Sequence, residues 1–117
     1  MNGDPSIQSK WAKKAILDDP VLSSTIASNT RGTISFATSG KNSRTTQFYI
    51  NYQDNHYLDK EGFTPIGEVV TDGMNVVDKI YSEYRDKPSQ GKIRSSGNTY
   101  LMEEWPKLTF IKSMEVI

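Results

Sequence analysis

Between Arg31 and Gly67 the apolar positions recur in twos. Ile34 and Phe36 alternate with Thr33 and Ser35, and Phe48 and Ile50 alternate with Gln47, Tyr49 and Asn51, the period of strands whose successive side chains face opposite sides. Two short strands joined by a long polar loop are predicted, with Phe48 and Ile50 toward a core and Gln47, Tyr49 and Asn51 toward a surface open to a ligand. Ala37-Thr38-Ser39-Gly40 follows the first strand, and its small side chains leave backbone within reach of an extended peptide. A second loop leads to a third strand over Ile66-Gly67-Glu68-Val69-Val70. Leu108, Phe110, Met114 and Val116 alternate near the end of the chain, which predicts a closing strand that needs a partner.

Helical spacing brackets these strands. Asp4-Pro5 supplies an N-cap carboxylate and a proline at the first helical position, and Ile7, Trp11 and Ala15 follow at one-turn intervals. Asp18-Asp19-Pro20 ends that helix, because the residue before proline avoids helical geometry. From Val21 to Thr30 the residues are mostly Ser, Thr, Asn and Ala, predicting an extended surface segment. A second helix is expected from Met74 to Tyr84, with Val77, Tyr81 and Tyr84 on one stripe, stopped by Pro88 and Gly91. No period stands out between Lys92 and Trp105. Without repeats or a composition break, residues 1–117 read as one domain.

Composition narrows the function. Lys and Arg together number 14, as do Asp and Glu, a balance that argues against nucleic acid or a membrane surface as the main partner. Hydrophobic residues make up only 35%, although two Trp, six Tyr and four Phe supply large side chains to bury; a modest core with little stability to spare is expected. The absence of cysteine removes disulfides, thiol nucleophiles and thiolate metal sites and leaves the redox compartment unread. No apolar run approaches the ~20 residues that span a bilayer, and no signal-type apolar segment follows Met1. A soluble protein, cytoplasmic by default, is the expectation, with a secretory address possible if a signal preceded Met1.

Chemistry-bearing motifs are few. Ser39-Gly40-Lys41 lacks the glycine spacing of a phosphate loop, since Ser35 and Asn42 occupy positions that motif requires as Gly and Ser/Thr. Asp54, Asn55, Asp59 and Glu61 gather oxygens in one loop without the order of a calcium site, so solvated turn residues are the simpler reading. His56 is the sole histidine, which leaves no set for zinc or a nucleophilic triad. Neither metal nor cofactor is expected.

The ordered series Arg31-Gly32, Ile34-Ser35-Phe36-Ala37, Gln47-Phe48-Tyr49-Ile50, Leu58-Asp59, Gly67-Glu68-Val69 and Gly73-Met74-Asn75-Val76-Val77-Asp78 resembles the cyclophilin family of peptidyl-prolyl cis-trans isomerases, from roughly Asn29 to Tyr81 with a looser continuation. The resemblance implies a mainly β fold, an eight-stranded antiparallel barrel capped by two helices, with a proline pocket on one outer face. It places Gln47 at the pocket glutamine and Tyr49 at a pocket phenylalanine, the two catalytic positions implied. Tyr57 and Leu58 fall where the family often has Trp and Leu, and Phe63 where many members have His. Ala37, Thr38 and Ser39 match the backbone rim that pairs with substrate. Proline-containing peptides are the implied partners, and cyclosporin-type macrocycles those on which the Tyr57 and Phe63 departures bear.

The family's catalytic arginine sits on a strand that would precede Asn2, and nothing in this chain matches it. The chain therefore resembles about the C-terminal two-thirds of the domain, and an open barrel, incomplete on its N-terminal side, is expected, either associating or marginally folded. Two functions follow: an isomerase that lowers the rotation barrier without a cofactor, or a proline-peptide binding module of weak or no activity. A fragment with no function of its own is the bland alternative.

Overall fold

The computed structural model describes residues 3–18 and 28–116. Its sheet has three antiparallel strands in the order β2-β1-β3: β1 Thr33–Phe36, β2 Phe48–Ile50 and β3 Pro65–Glu68. On one side Ile34, Ser35 and Phe36 of β1 face Ile50, Tyr49 and Phe48 of β2. On the other, the β1–β3 register slips between Ile34 and Ser35. Pro65 opens β3, a position where its missing N–H costs no interior ladder bond. Among the described residues both outer strands leave an edge unpaired, so these strands form a small open sheet and not a closed barrel.

The helices occupy more of the described chain than the strands. α1 spans Pro5–Trp11, with the Asp4 carboxylate accepting from the N–H groups of Ser6 and Ile7 at 2.8 and 3.3 Å. It stops four residues short of the expected Ala15, because beyond it the chain turns to pair with the long loop: Ile16 N–H donates to the Arg44 carbonyl at 2.9 Å. The expected stop at Asp19-Pro20 and most of the extended segment from Val21 lie outside the described residues. Within the described part of that segment, Asn29 is wholly buried, which corrects the surface reading there.

α2 covers Gly73–Val77 only. Lys79 and Ile80 then donate to Val76 and Val77, three residues back, the tighter winding that commonly ends a helix. Tyr81 and Tyr84 leave the helical stripe to stack edge to face, 4.8 Å between centroids, and Tyr84 does the same with Trp105 at 5.0 Å. Pro88 and Gly91 do not separate helix from loop as expected. Ser89 caps a third helix, α3 (Gln90–Glu104), with Gly91 inside its first turn.

α3 folds back on itself at Gly97, where φ is +53° and ψ −132°. Lys92 Nζ reaches Glu104 Oε1 at 3.0 Å, whereas a straight helix rising ~1.5 Å per residue would hold residues twelve apart at about 18 Å. The bend presses Gly97 on the start of α1, where Asn98 N–H donates to the Gly3 carbonyl at 2.9 Å and a Cβ on Gly97 would lie 2.0 Å from that oxygen.

The closing strand does not form. Residues 105–116 contain no strand, and Val116 is fully exposed. Alternation sorts side chains between two sides whether or not a ladder forms, and here Leu108, Phe110 and Met114 line an apolar cavity of about 540 Å³ with Ile7, Trp11 and Phe48. Phe48, expected in the core, is 42% exposed on that side. Conversely Ser35 and Asn51, on the face read as open to ligand, are 0% and 1% exposed. Hydrogen bonds close the polar face, while the apolar face is only partly covered; Val77 and Tyr100 are the only buried large apolar residues among those described.

Candidate functional site

Strand alternation sends Tyr49 to the polar side of β2, and a turn delivers the residues that meet it there. His56–Glu61 forms a 3₁₀ turn in place of the expected loop, closed at Gly62 by a left-handed residue, φ +83°, whose N–H donates to the Leu58 carbonyl. The turn is pinned from below: Asp59 Oδ1 accepts from the Asn29 N–H at 2.9 Å and from Asn29 Nδ2 at 2.7 Å, and Asp59 Oδ2 accepts from Ser28 Oγ. Phe63 follows the turn and comes back over the sheet, ring edge against Tyr49 at 6.0 Å.

A shallow pocket of about 450 Å³ results, walled by Tyr49, Tyr57, Leu58 and Phe63 with Asn51 and Asn55 beside them. Four expected site residues thus come together. Gln47 does not join that wall; it is half-buried just before β2, and its carbonyl accepts from the Ala37 N–H at 2.9 Å. Ala37, Thr38 and Ser39 also lie outside the wall. Thr38 Oγ1 donates to the Gly40 carbonyl at 2.6 Å and Ser39 N–H to Ser43 Oγ at 2.9 Å, so part of the expected rim is tied into its own turn.

Electrostatics in the site are mild. Burial pushes the Tyr49 hydroxyl above its ordinary pKa, a nearby hydrogen bond with Ser35 opposes this, and Tyr57 and Asp59 add to it; the group stays a neutral donor, given to Asn29 Oδ1 at 3.1 Å. For Asp59, burial raises the pKa, but hydrogen bonds from Ser28 and Asn29 and the charge of His56 outweigh it and hold the carboxyl below its ordinary value. Asp54 accepts from the Arg31 N–H at 2.8 Å, and Asn55 Nδ2 donates to Asn51 Oδ1 at 2.8 Å. Asp54 and Asp59 of the oxygen-rich loop therefore serve as acceptors that hold the turn, and Asn55 as a donor to Asn51. Among the described residues no group of three or more His, Cys, Asp or Glu is arranged to hold a metal, and no helix is long and apolar enough to cross a membrane.

The two arginines nearest the pocket in sequence are both engaged. Arg31 grips Asp78 with one nitrogen at 2.8 and 3.0 Å, and Arg44, 6% exposed, lies 3.3 Å from Asp18 and donates to the Leu17 carbonyl. Neither borders the pocket.

Missed from sequence was the polar layer beneath the pocket, formed by Asn29, Ser35 and Asn51. A signal existed: Ser35 and Tyr49 are direct cross-strand partners, so period two puts Ser35, Tyr49 and Asn51 on one side, where a polar strip needs a satisfying partner if it is covered.

Comparison with known proteins places the chain in a family. A family model described as "Cyclophilin type peptidyl-prolyl cis-trans isomerase/CLD" matches residues 2–98, and the chain belongs to that family. It is 53% identical over 57 residues to peptidyl-prolyl cis-trans isomerase A of Dickeya dadantii (strain 3937), 44% of this chain and 30% of the relative. Against peptidyl-prolyl cis-trans isomerase B of Escherichia coli (strain K12) it is 38% identical over 85 residues, 66% of this chain and 49% of the relative. With peptidyl-prolyl cis-trans isomerase-like 3 of Rhizopus delemar (strain RA 99-880) the figures are 33% over 97 residues, 75% and 54%. The chain thus spans about half or less of the length of these relatives.

Proposed function

We propose that this chain, acting as a single domain, binds proline-containing peptides in the Tyr49–Tyr57–Leu58–Phe63 pocket as part of a peptidyl-prolyl cis-trans isomerase. The observation that carries the reading is the convergence of those four side chains from a strand and a separate turn on one depression, in a chain of this family. Rotation about an X-Pro bond meets a barrier of about 18–20 kcal/mol from the partial double-bond character of C–N. Lowering it requires no nucleophile, metal or cofactor. Apolar walls grip the pyrrolidine ring, and the flanking peptide lies along the sheet while the acyl part swings. Gln47 and the Ala37–Ser39 backbone hold that flanking peptide beside the pocket in this reading.

A donor aimed at the prolyl nitrogen weakens the conjugation further, and one pre-placed donor is worth on the order of 10²–10³ in rate. The engagement of Arg31 by Asp78 and of Arg44 by Asp18 and Leu17 favours a second reading in which the chain binds proline peptides and isomerises them weakly. An isomerisation assay by NMR exchange on an Ala-Pro peptide separates the two: strong acceleration supports the enzyme, whereas binding without acceleration supports the module. Failure to bind the peptide at millimolar concentration overturns both.

A further inference from the structure

Asn29 belongs to neither cavity wall and is 0% exposed, yet it touches every piece that builds the pocket. Its Nδ2 donates to Asp59 Oδ1 at 2.7 Å and to the Phe63 carbonyl at 2.6 Å. Its Oδ1 accepts from Ser35 Oγ at 3.0 Å, the Tyr49 hydroxyl at 3.1 Å and Asn51 Nδ2 at 3.1 Å. Two acceptors at one end and three donors at the other leave only one way for the amide to point. The main chain adds its own ties, with the Asn29 N–H on Asp59 and its carbonyl accepting from the Asn55 N–H at 2.7 Å.

Those partners lie on β1, at β2, and on the 3₁₀ turn with the residue after it. Tyr49 stands on the strand, while Tyr57, Leu58 and Phe63 stand on or after the turn. The edge-to-face contact between Tyr49 and Phe63 tolerates sliding, since such pairs are favourable over a range of centroid separations. Hydrogen bonds weaken steeply when misaligned, so the amide, not the ring pair, fixes the distance between the two walls. Only a side chain of this length with donors at one fork and an acceptor at the other meets all five partners; Asp offers no donor, and Ser or Thr a single hydroxyl.

We infer that Asn29 is a positioning residue that sets the width of the pocket by locking the Tyr57–Phe63 turn to Tyr49. The inference rests on the reading of this pocket as the proline site. The test uses the full chain, isotopically labelled, with a short Ala-Pro peptide as probe, and reads both peptide affinity and the nuclear Overhauser contacts between the Tyr49 and Phe63 rings. Asn29→Asp should weaken binding about tenfold, the scale of leaving buried polar groups unmatched, and should erase the ring contacts. The paired exchange of Asn29→Asp with Asp59→Asn, which restores a donor opposite a carboxylate, should recover part of both. Where Asn29→Asp does not fold, Asn29→Ser retains a hydroxyl too short to join Tyr49 to Phe63 and should show the same losses. Leu101→Ala, in the other cavity, should lower the melting temperature and leave the peptide affinity within about twofold, as expected for a distant independent site. Retained ring contacts and affinity in Asn29→Asp, or an equal loss of affinity in Leu101→Ala, would overturn the inference. If the unsubstituted chain binds no peptide, the proline-site reading fails on its own, and the ring contacts still decide whether Asn29 positions the walls.

Discussion

Tyr49 and Phe63 meet edge to face, ring planes inclined by 67° and centroids 6.0 Å apart, and this pair joins the sheet to the turn across the pocket. Edge-to-face pairs contribute about 0.5–1.5 kcal/mol beyond the area they bury. Phe63→Ala is therefore expected to cost about 2 kcal/mol in urea unfolding, less than for a fully buried ring, and to weaken proline-peptide binding with it. Tyr49→Phe keeps the ring and removes one of three donors to Asn29 Oδ1. It should cost about 1 kcal/mol and weaken peptide binding less than Asn29→Asp does, because Ser35 and Asn51 still hold the Asn29 amide against the sheet.

Acid should loosen the turn through Asp59. Its carboxyl is held below the ordinary 3.8, with hydrogen bonds from Ser28 and Asn29 outweighing the opposing effect of burial. The unfolded chain thus binds the proton more readily, so the stabilisation is fully present above about pH 4 and is lost as pH falls through the lower folded value. Urea unfolding between pH 2.5 and 6 on the parent chain and on Asp59→Asn checks this. The difference between the two curves should shrink toward the acid end; a constant offset would contradict the assignment.

The fold-back of α3 depends on Gly97. A methyl there would meet the Gly3 carbonyl at 2.0 Å on a backbone with φ +53°, and such a residue is both clashing and strained. Gly97→Ala should destabilise by about 2 kcal/mol or more and break the Lys92–Glu104 approach, seen as loss of contacts between the two halves of α3. Substituting Ala at Gly91, where the nearest atom to an added Cβ is Ser89 Oγ at 3.8 Å, should be neutral or stabilising.

Trp11, Phe48 and Phe110 are 48%, 42% and 47% exposed around one apolar cavity, and among the described residues the outer strands of the sheet have unpaired edges. Large apolar patches and free edges both promote association. Size-exclusion chromatography across a concentration series should show self-association or a broad, weakly cooperative melt, and Phe48→Glu should shift the population toward monomer. A compact monomer with a sharp transition at all concentrations would show that the described elements close their own core.

The strands were legible because alternation in Ile34–Phe36 and Phe48–Ile50 is local, and a one-residue slip would reverse every side chain. The start of α1 was legible for the same reason: Asp4 and Pro5 act within one turn. Alternation at Leu108–Val116 misled, since it records which side chains face inward and says nothing of a pairing strand. α3 was missed because Gly91 and Gly97 interrupt its pattern, and the bend at Gly97 depends on Gly3, far away in sequence. For the site, Tyr49, Tyr57, Leu58 and Phe63 were reached through motif resemblance. Asn29 was not, because its importance lies in five partners scattered from Ser35 to Phe63, a relationship that exists only in the folded chain.

The proposed function stands on this pocket taking proline. An amide and side-chain chemical-shift titration of the labelled chain, with an Ala-Pro peptide and with the same peptide carrying alanine in place of proline, tests it most directly. Saturable shifts centred on Tyr49, Tyr57, Leu58 and Phe63 are expected with the proline peptide alone. Shifts centred on Trp11, Phe48 and Phe110, or equal responses to the two peptides, would contradict it.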